Sequence, residues 1–317
     1  MGPSISVVIP VYNASATLSP LIDRLRIVLD RLATPYEIVL VNDGSRDGSW
    51  ATIESLALRY SEIVGIDLMR NYGQHNALLC GIRRSRNDVI ITLDDDLQQP
   101  PEEIPRLLAK LHEGYDVVYG TPKQEQHGFW RNLSSRVTKA ALGTATSASV
   151  ASMVSAFRAF RGSVKPAFAD YRSPLLSIDV LLTWATTSFA SVTVQRVARR
   201  SGVTNYRLRS LVRHTMNMMT GYSLLPLQFA TMIGFLFTLF GIFVLFFVLG
   251  RYLMVGETVA GFPFLASIIA IFSGAQLFAL GIIGEYLGRM HLRMMERPPY
   301  IVRAATLART AAPSEQA

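Results

Sequence analysis

The stretch Ile90 to Glu103 reads IITLDDDLQQPPEE, four residues suited to a buried strand running straight into three consecutive aspartates. Like charges side by side repel one another, and partial burial adds to the cost of ionising each of them. A cluster of this kind anticipates a positive partner. At a strand end alternate residues project to one side, so Asp94 and Asp96 are expected to point together while Asp95 faces away. Two carboxylates with the amide of Gln98 beside them make a hard-oxygen site suited to Mg²⁺ or Mn²⁺, the ions that carry diphosphates. An acidic approach to the next helix is the plainer alternative, and it accounts for Glu102 and Glu103, which follow Pro100 and Pro101. It gives no reason for Asp94 to Asp96.

Two further stretches have the residue types of a ligand site. In VNDGS, Asp43 ends a β-branched run. It can accept a hydrogen bond from the N–H of a base, or it can make an Asp-Gly turn or cap a helix starting near Ser49. In RNYGQHNAL, Arg70 precedes the flexible Gly73 at a helix start, where a guanidinium and helix N-terminal amides can address phosphate. A plain helix entrance explains the same residues equally well. His75, His112, His127, His214 and His291 have no partner at a recognisable catalytic spacing and read as structural or solvated.

The elements that must position these residues alternate. ISVVIPVY, EIVLVND, IVGIDLM, DVIITLDDD and DVVYG read as strands. SATLSPLIDRLRIVLDRL, SWATIESLALRYS, QHNALLCGIRRSR and EEIPRLLAKLHEG read as helices. This order predicts an α/β fold: a mostly parallel, Rossmann-like sheet with helices on both faces, its ligand crevice outside the carboxyl ends of the strands. VYNAS, VNDGS, RNYGQ and DDDLQ are the loops at those ends. The opening ISVVIPVYN reads as a first buried strand rather than a leader.

With 317 residues, 50% hydrophobic and only 17% charged, the chain is too apolar for an ordinary soluble protein of its size. From His214 to Gly250 and again from Thr258 to Gly284 there is no Asp, Glu, Lys or Arg. Each run exceeds the roughly 20 apolar residues needed to cross a bilayer, which predicts a two-helix transmembrane hairpin. Arg196, Arg199, Arg200, Arg207, Arg209 and Arg213 precede it, and Arg289, Arg293 and Arg297 follow it, against Arg251 alone in the turn. That bias puts both termini and the large N-terminal part in the cytoplasm. The net charge of +8 suits an anionic partner. Because the arginines cluster beside the spans and no nucleic-acid motif is present, that partner reads as a membrane or a phosphorylated ligand. Cys80 is the single cysteine, which excludes an intrachain disulfide framework, and it reads as a buried thiol.

In their order, VVIPVYN, VNDGS, RNYGQHNA, TLDDDLQQPPEEIPRLL and the terminal GEYLGRMHLRMMERPPY resemble the family 2 inverting glycosyltransferases that act on polyprenyl phosphate. Dolichyl-phosphate mannose synthases, bactoprenol glucosyltransferases and undecaprenyl-phosphate aminoarabinose-type transferases belong to that group; NYGQHNA and LQQPPEEIPRL bring the last subgroup nearest. The resemblance implies a GT-A fold binding a nucleotide sugar. Pro10, Tyr12, Asn13, Asp43 and Arg70 would hold the nucleotide, and Asp94 the ribose and diphosphate region. Asp96 with Gln98 would complete the metal site, for Mg²⁺ or Mn²⁺. HGFWRNLSSRVTKAAL would be an amphipathic interface helix carrying Arg131 and Arg136, and Arg158 would serve the acceptor end. In VARRSGVTNY, Arg199 and Tyr206 would meet the lipid phosphate or donor diphosphate. The implied domains are a catalytic domain at 1–125, its remainder with interface helices at 126–225, membrane helices at 228–250 and 260–284, and a cytoplasmic tail at 285–317.

The activity implied is transfer of a monosaccharide from a nucleotide sugar, such as a UDP-sugar, to polyprenyl phosphate on the cytoplasmic leaflet of the inner membrane. A homo-oligomer, tetrameric in some relatives, is implied as well. A lipid phosphate is anionic at pH 7 and attacks the anomeric carbon without a general base, which suits the lack of a histidine arrangement. Ala14, Asp95, Ser152 and Asn205 depart from the family pattern, leaving the sugar open. A processive polysaccharide synthase is a rival without its Q-x-x-R-W element. A non-catalytic membrane subunit or translocation partner with a retained nucleotide-sugar fold is a rival from another class.

Overall fold

The computed structural model describes residues 2–122, 150, 153–172, 176–195, 225–255 and 261–306. They divide into a sheet-based unit, residues 1–206 with 296–317, and a helical unit, residues 207–295.

In the sheet-based unit, strands β1 (Ile5–Val11), β2 (Tyr36–Asn42), β3 (Ile63–Leu68) and β4 (Val89–Thr92) alternate with helices α1 (Ser15–Arg31), α2 (Ser49–Arg59) and α3 (Gln74–Arg84). There follow α4 (Ile104–His112), β5 (Val117–Pro122), β6 (Arg158–Arg161), the short α5 (Pro166–Ala169), α6 (Ile178–Ala185) and β7 (Phe189–Val194). A last strand, β8 (Val302–Ala305), comes after the helical unit. The eight strands form one sheet in the order β7-β5-β6-β4-β1-β2-β3-β8. β1 pairs in parallel with β2 and β4, and β2 with β3. β6 is antiparallel to both β4 and β5, and β8 is antiparallel to β3.

The continuous hydrophobic run of β1 follows from burial on both faces. Ile5, Val7, Ile9 and Val11 pack into one core with Leu18, Leu21 and Leu25 of α1, Ile53 of α2 and Leu107 of α4. Val8 belongs to the opposite core, with Ala77, Leu78 and Ile82 of α3 and Ile178 and Leu181 of α6. The period-2 alternation thus feeds two cores and fixes the register, since a slip of one residue would exchange them. Ser6, fully buried, is tolerated because its hydroxyl donates to Glu37 at 2.7 Å and accepts from the Asn87 amide.

The sheet reverses direction of growth at β1: β2 and β3 lie to one side, β4 to the other. The pairing of β1 with β4 ends at Val8↔Thr92, whereas β1 and β2 stay paired to Val11↔Asn42. The carboxyl ends of β1 and β4 thus flank the switch point, the place at which open α/β sheets bind ligands. Pro10, which has no N–H to give a ladder, lies beyond the last β4 pair.

Among the described residues, the helical unit has α7 (Leu225–Val255) and α8 (Phe262–Met294). Both are long and apolar enough to cross a membrane, over Leu227–Arg251 and Ile271–Met294. They touch where Phe237 meets Phe272 edge-on at 5.6 Å, and Gly241 leaves room for the Phe272 ring. Elsewhere Phe235, Phe243, Phe246 and Leu277 are exposed, as suits surfaces solvated by lipid rather than water. α8 continues past residue 284 through Tyr286 and Arg289 to Met294, and β8 follows at Val302–Ala305.

Candidate active site

Four loops meet at the switch point. After β1, Asn13 adopts φ of 52°, a left-handed turn that asparagine accepts more readily than most residues. Its amide donates to Ser45 Oγ at 3.0 Å and its side-chain oxygen accepts from the Arg46 amide at 2.9 Å, tying this loop to the one after β2. Asp47 strengthens the tie by accepting from the Ser15 amide, at 3.1 Å, and from Ser49. Partial burial opposes its ionisation, yet the hydrogen bonds from Ser49 and Ser15 prevail and hold its carboxyl below the usual value. Asp47, not Asp43, serves the start of α2.

Asp43 is 2% exposed and ties in the next loop. Its two oxygens accept from the amides of Tyr72 at 2.7 Å and Gly73 at 2.9 Å, so it holds the entrance to α3. Burial pushes its carboxyl up, and those two amides work in the opposite direction. Arg70 is exposed in the same loop, its guanidinium 4.7 Å from the Tyr72 ring, which orients the charge without consuming it.

The three aspartates sit on a turn rather than a strand end, because β4 stops at Thr92. Leu97 closes that turn at φ of 60°, strained for a leucine and offset by packing its side chain on the core beneath. Each carboxylate has its own partners. Asp94 accepts from Gln74 Nε2 at 2.5 Å and Gln99 Nε2 at 3.1 Å, and its amide donates to Gln99 Oε1 at 3.0 Å. Asp96 accepts from the Gln98 amide at 3.1 Å and from Gln98 Nε2 at 2.6 Å. Asp95 turns instead to the β1 loop, accepting from the Tyr12 amide at 3.0 Å. Burial pushes Asp95 up to about 6; the Tyr12 amide counters this, and the charges of Asp94 and Asp96 add to it.

Among the described residues no group of three or more His, Cys, Asp or Glu is arranged to hold a metal. The donor set nonetheless fits a hard cation. Asp94 and Asp96 are only partly buried, and a carboxylate oxygen can accept more than one bond. Mg²⁺ characteristically takes one or two carboxylates and leaves its other positions to water and substrate phosphate.

Pro10, Tyr12, Asn13, Asp43, Arg70, Asp94, Asp96 and Gln98 are thus brought to the ends of β1, β2, β3 and β4. Arg158 is not among them. On β6 opposite Thr92, it is 2% exposed, with its guanidinium 2.5 Å from Asp179 Oδ1, which Tyr119 also contacts at 3.0 Å. It forms a buried ion pair in the sheet, beside the last residue of β4. Arg131, Arg136, Arg199 and Tyr206 lie outside the described residues. Gln74, Gln99, Ser45 and Asp47 were not singled out from the sequence, because their partners lie in other loops and no local pattern announces them.

The chain is similar to known proteins in sequence and in fold. The model of glycosyl transferase family 2 matches residues 6–163. The undecaprenyl-phosphate 4-deoxy-4-formamido-L-arabinose transferase of Shewanella sediminis is 38% identical over 302 residues, 94% of this chain and 91% of that one. The protein of the same name from Pseudomonas aeruginosa is 36% identical over 301 residues, 94% of this chain and 89% of that one. Among solved structures, glucosyl-3-phosphoglycerate synthase from Mycobacterium tuberculosis aligns with a TM-score of 0.50 at 21% identity, over 70% of this chain and 80% of that one, a likeness of fold alone.

Proposed function

The chain belongs to glycosyl transferase family 2, and from that premise we propose that it transfers a monosaccharide from a nucleotide sugar to the phosphate of a polyprenyl lipid such as undecaprenyl phosphate, at the cytoplasmic face of the inner membrane. One observation carries the reading: the Asp94–Asp96 turn stands at the switch point facing the loops of Tyr12, Asp43 and Arg70. The two long apolar helices support a lipid acceptor, as do the names of the relatives, undecaprenyl-phosphate transferases.

The residues divide the work. The β1 and β2 loops form the nucleoside end, with Tyr12 exposed at 47% and free to lie against a base. Asp43 acts at one remove, by setting the Tyr72 and Gly73 amides and with them the position of Arg70. Arg70 and the amino end of α3 face the diphosphate with positive charge. Asp94 and Asp96, with Gln98, would hold a divalent cation, Mg²⁺ or Mn²⁺. When bound, such an ion offsets the charge that grows on the departing nucleoside diphosphate. Gln74 and Gln99 keep Asp94 in one orientation, so no reorganisation is needed as that charge develops. The acceptor phosphate is its own nucleophile, and direct displacement inverts the anomeric centre.

The test is incubation of the purified full chain with undecaprenyl phosphate, Mg²⁺ or Mn²⁺, and a panel of UDP- and GDP-sugars that includes the sugar in the relatives' name, followed by mass spectrometry of the lipid. A sugar-phosphate lipid is expected from the wild type. Asp96→Asn should lose at least about 100-fold in rate while keeping its melting temperature, because the substituted residue sits partly exposed on a turn. Nucleotide-sugar binding with no lipid product under any condition would favour the non-catalytic alternative.

A further inference from the structure

The segment that follows the helical unit comes back to the sheet and ends beside the donor loops. β8 pairs antiparallel with β3 at Ile66↔Ala305, Asp67↔Ala304 and Leu68↔Val302, with a register shift between Asp67 and Leu68. Arg303 is the extra residue at that shift, and a bulge re-aims its side chain. Instead of following the strand's alternation, it reaches across the end of β3. Its Nη2 donates to the Met69 carbonyl at 2.7 Å, and its Nη1 lies 3.4 Å from Asp67 Oδ2. Asp67 is 3% exposed, so its charge needs a partner. Among the described residues, Arg303 is the cation paired with it.

From Asp67 the contacts lead into the site. Asp67 Oδ1 accepts from Asn42 Nδ2 at 2.7 Å, in the buried interior. That bond fixes the Asn42 amide so that its oxygen receives the Ser45 amide at 3.3 Å, and Ser45 Oγ receives the Asn13 amide at 3.0 Å. On the other branch, the Met69 carbonyl held by Arg303 immediately precedes Arg70 and the loop whose amides bind Asp43. Two more backbone bonds pin the same place: the Met69 amide to the Ile301 carbonyl at 2.9 Å, and the Thr306 amide to the Gly65 carbonyl at 2.9 Å. One guanidinium therefore reaches both loops assigned to the nucleotide.

We propose that Arg303 is a positioning residue for nucleoside-diphosphate binding: it sets the loop after β2 through Asp67 and Asn42, and the loop after β3 through the Met69 carbonyl. This deepens the donor-site reading above and rests on it. It also makes the segment after the membrane helices an integral part of the donor pocket rather than a trailing tail.

The experiment uses the full chain in detergent micelles, with UDP and GDP in Mg²⁺ as probes and amide hydrogen exchange as a second readout. Arg303→Ala should weaken nucleotide affinity by about tenfold or more and speed exchange at Tyr72 and Gly73, with undecaprenyl phosphate binding unchanged. Arg303→Lys keeps the charge near Asp67 but loses the forked reach, and is expected to fall between the two. Should Arg303→Ala fail to fold, Arg303→Gln carries the same readouts. Unaltered affinity together with unaltered exchange overturns the proposal. So does a lowered melting temperature with nucleotide affinity intact, the mark of a purely structural strand. Asp43→Asn separates the two ideas. If it leaves nucleotide affinity unchanged, the donor-site reading fails; if it weakens affinity while Arg303→Ala does not, only the inference about Arg303 fails.

Discussion

At the level of single residues, the donor loops leave almost no slack. Gly44 has φ of 65°, and a Cβ there would stand 2.5 Å from both the Arg70 carbonyl carbon and the Asn71 nitrogen. Backbone cannot yield as a flexible side chain does, so Gly44→Ala should cost at least about 2 kcal/mol in denaturant unfolding and abolish nucleotide binding. Wild-type stability in that variant would mean the two loops are not packed as described. Arg158 makes the opposite point. Its partner Asp179, and the Tyr119 hydroxyl that donates to Asp179, are buried with it, so Arg158→Met strands a carboxylate and should destabilise the protein by about 3 to 5 kcal/mol. The double change Arg158→Met with Asp179→Leu should recover much of that loss. Reduced lipid-phosphate binding at unchanged stability would instead restore Arg158 to the acceptor end.

Among the elements, those legible in the sequence were the ones that bury both faces or one clear stripe. β1 to β5 and α1 to α4 announce themselves by unbroken β-branched runs and 3.6-residue periodicity, and the loops that join them on the ligand side were legible with them. RAFR of β6 and VRAA of β8 carry no such pattern, because each is a short strand recruited by pairing with an existing edge or neighbour. The aspartates were found for their charge, but their partners Gln74, Gln99 and the Tyr12 amide depend on tertiary approach and left no local trace. β8 brings a further consequence with it. Tyr300, just ahead of it, packs at the core that contains Cys80 and lies 5.7 Å from the Arg83 guanidinium. Burial pushes the Cys80 thiol up to about 12, against the smaller opposing effects of Tyr300 and Arg83. A thiol so raised is almost wholly protonated at pH 8 and should resist maleimide in the native chain. A chain truncated after Pro299 should label readily, and equal resistance in both would show that the segment does not shield α3.

For the whole molecule, connectivity constrains topology more firmly than the count of arginines. β1 to β7 precede the two apolar helices and β8 follows them, yet all eight strands belong to one sheet. A sheet cannot be shared across a bilayer. If α7 and α8 span the membrane, α7 must begin and α8 must end on the side that holds the sheet, and the connection between them must emerge on the other. The positive-inside rule, applied to the flanking arginines, predicts the cytoplasm for that side. This can be checked in intact cells on a Cys80→Ser background. A cysteine placed at Glu257, between the helices, is expected to react with a membrane-impermeant maleimide from outside, whereas one placed at Arg303 reacts only after permeabilisation. If both react from outside, the sheet faces away from cytosolic nucleotide sugars and the enzyme could not draw on them. If neither reacts before permeabilisation, the helices do not cross, and the lipid phosphate would have to be met by a chain resting on one leaflet.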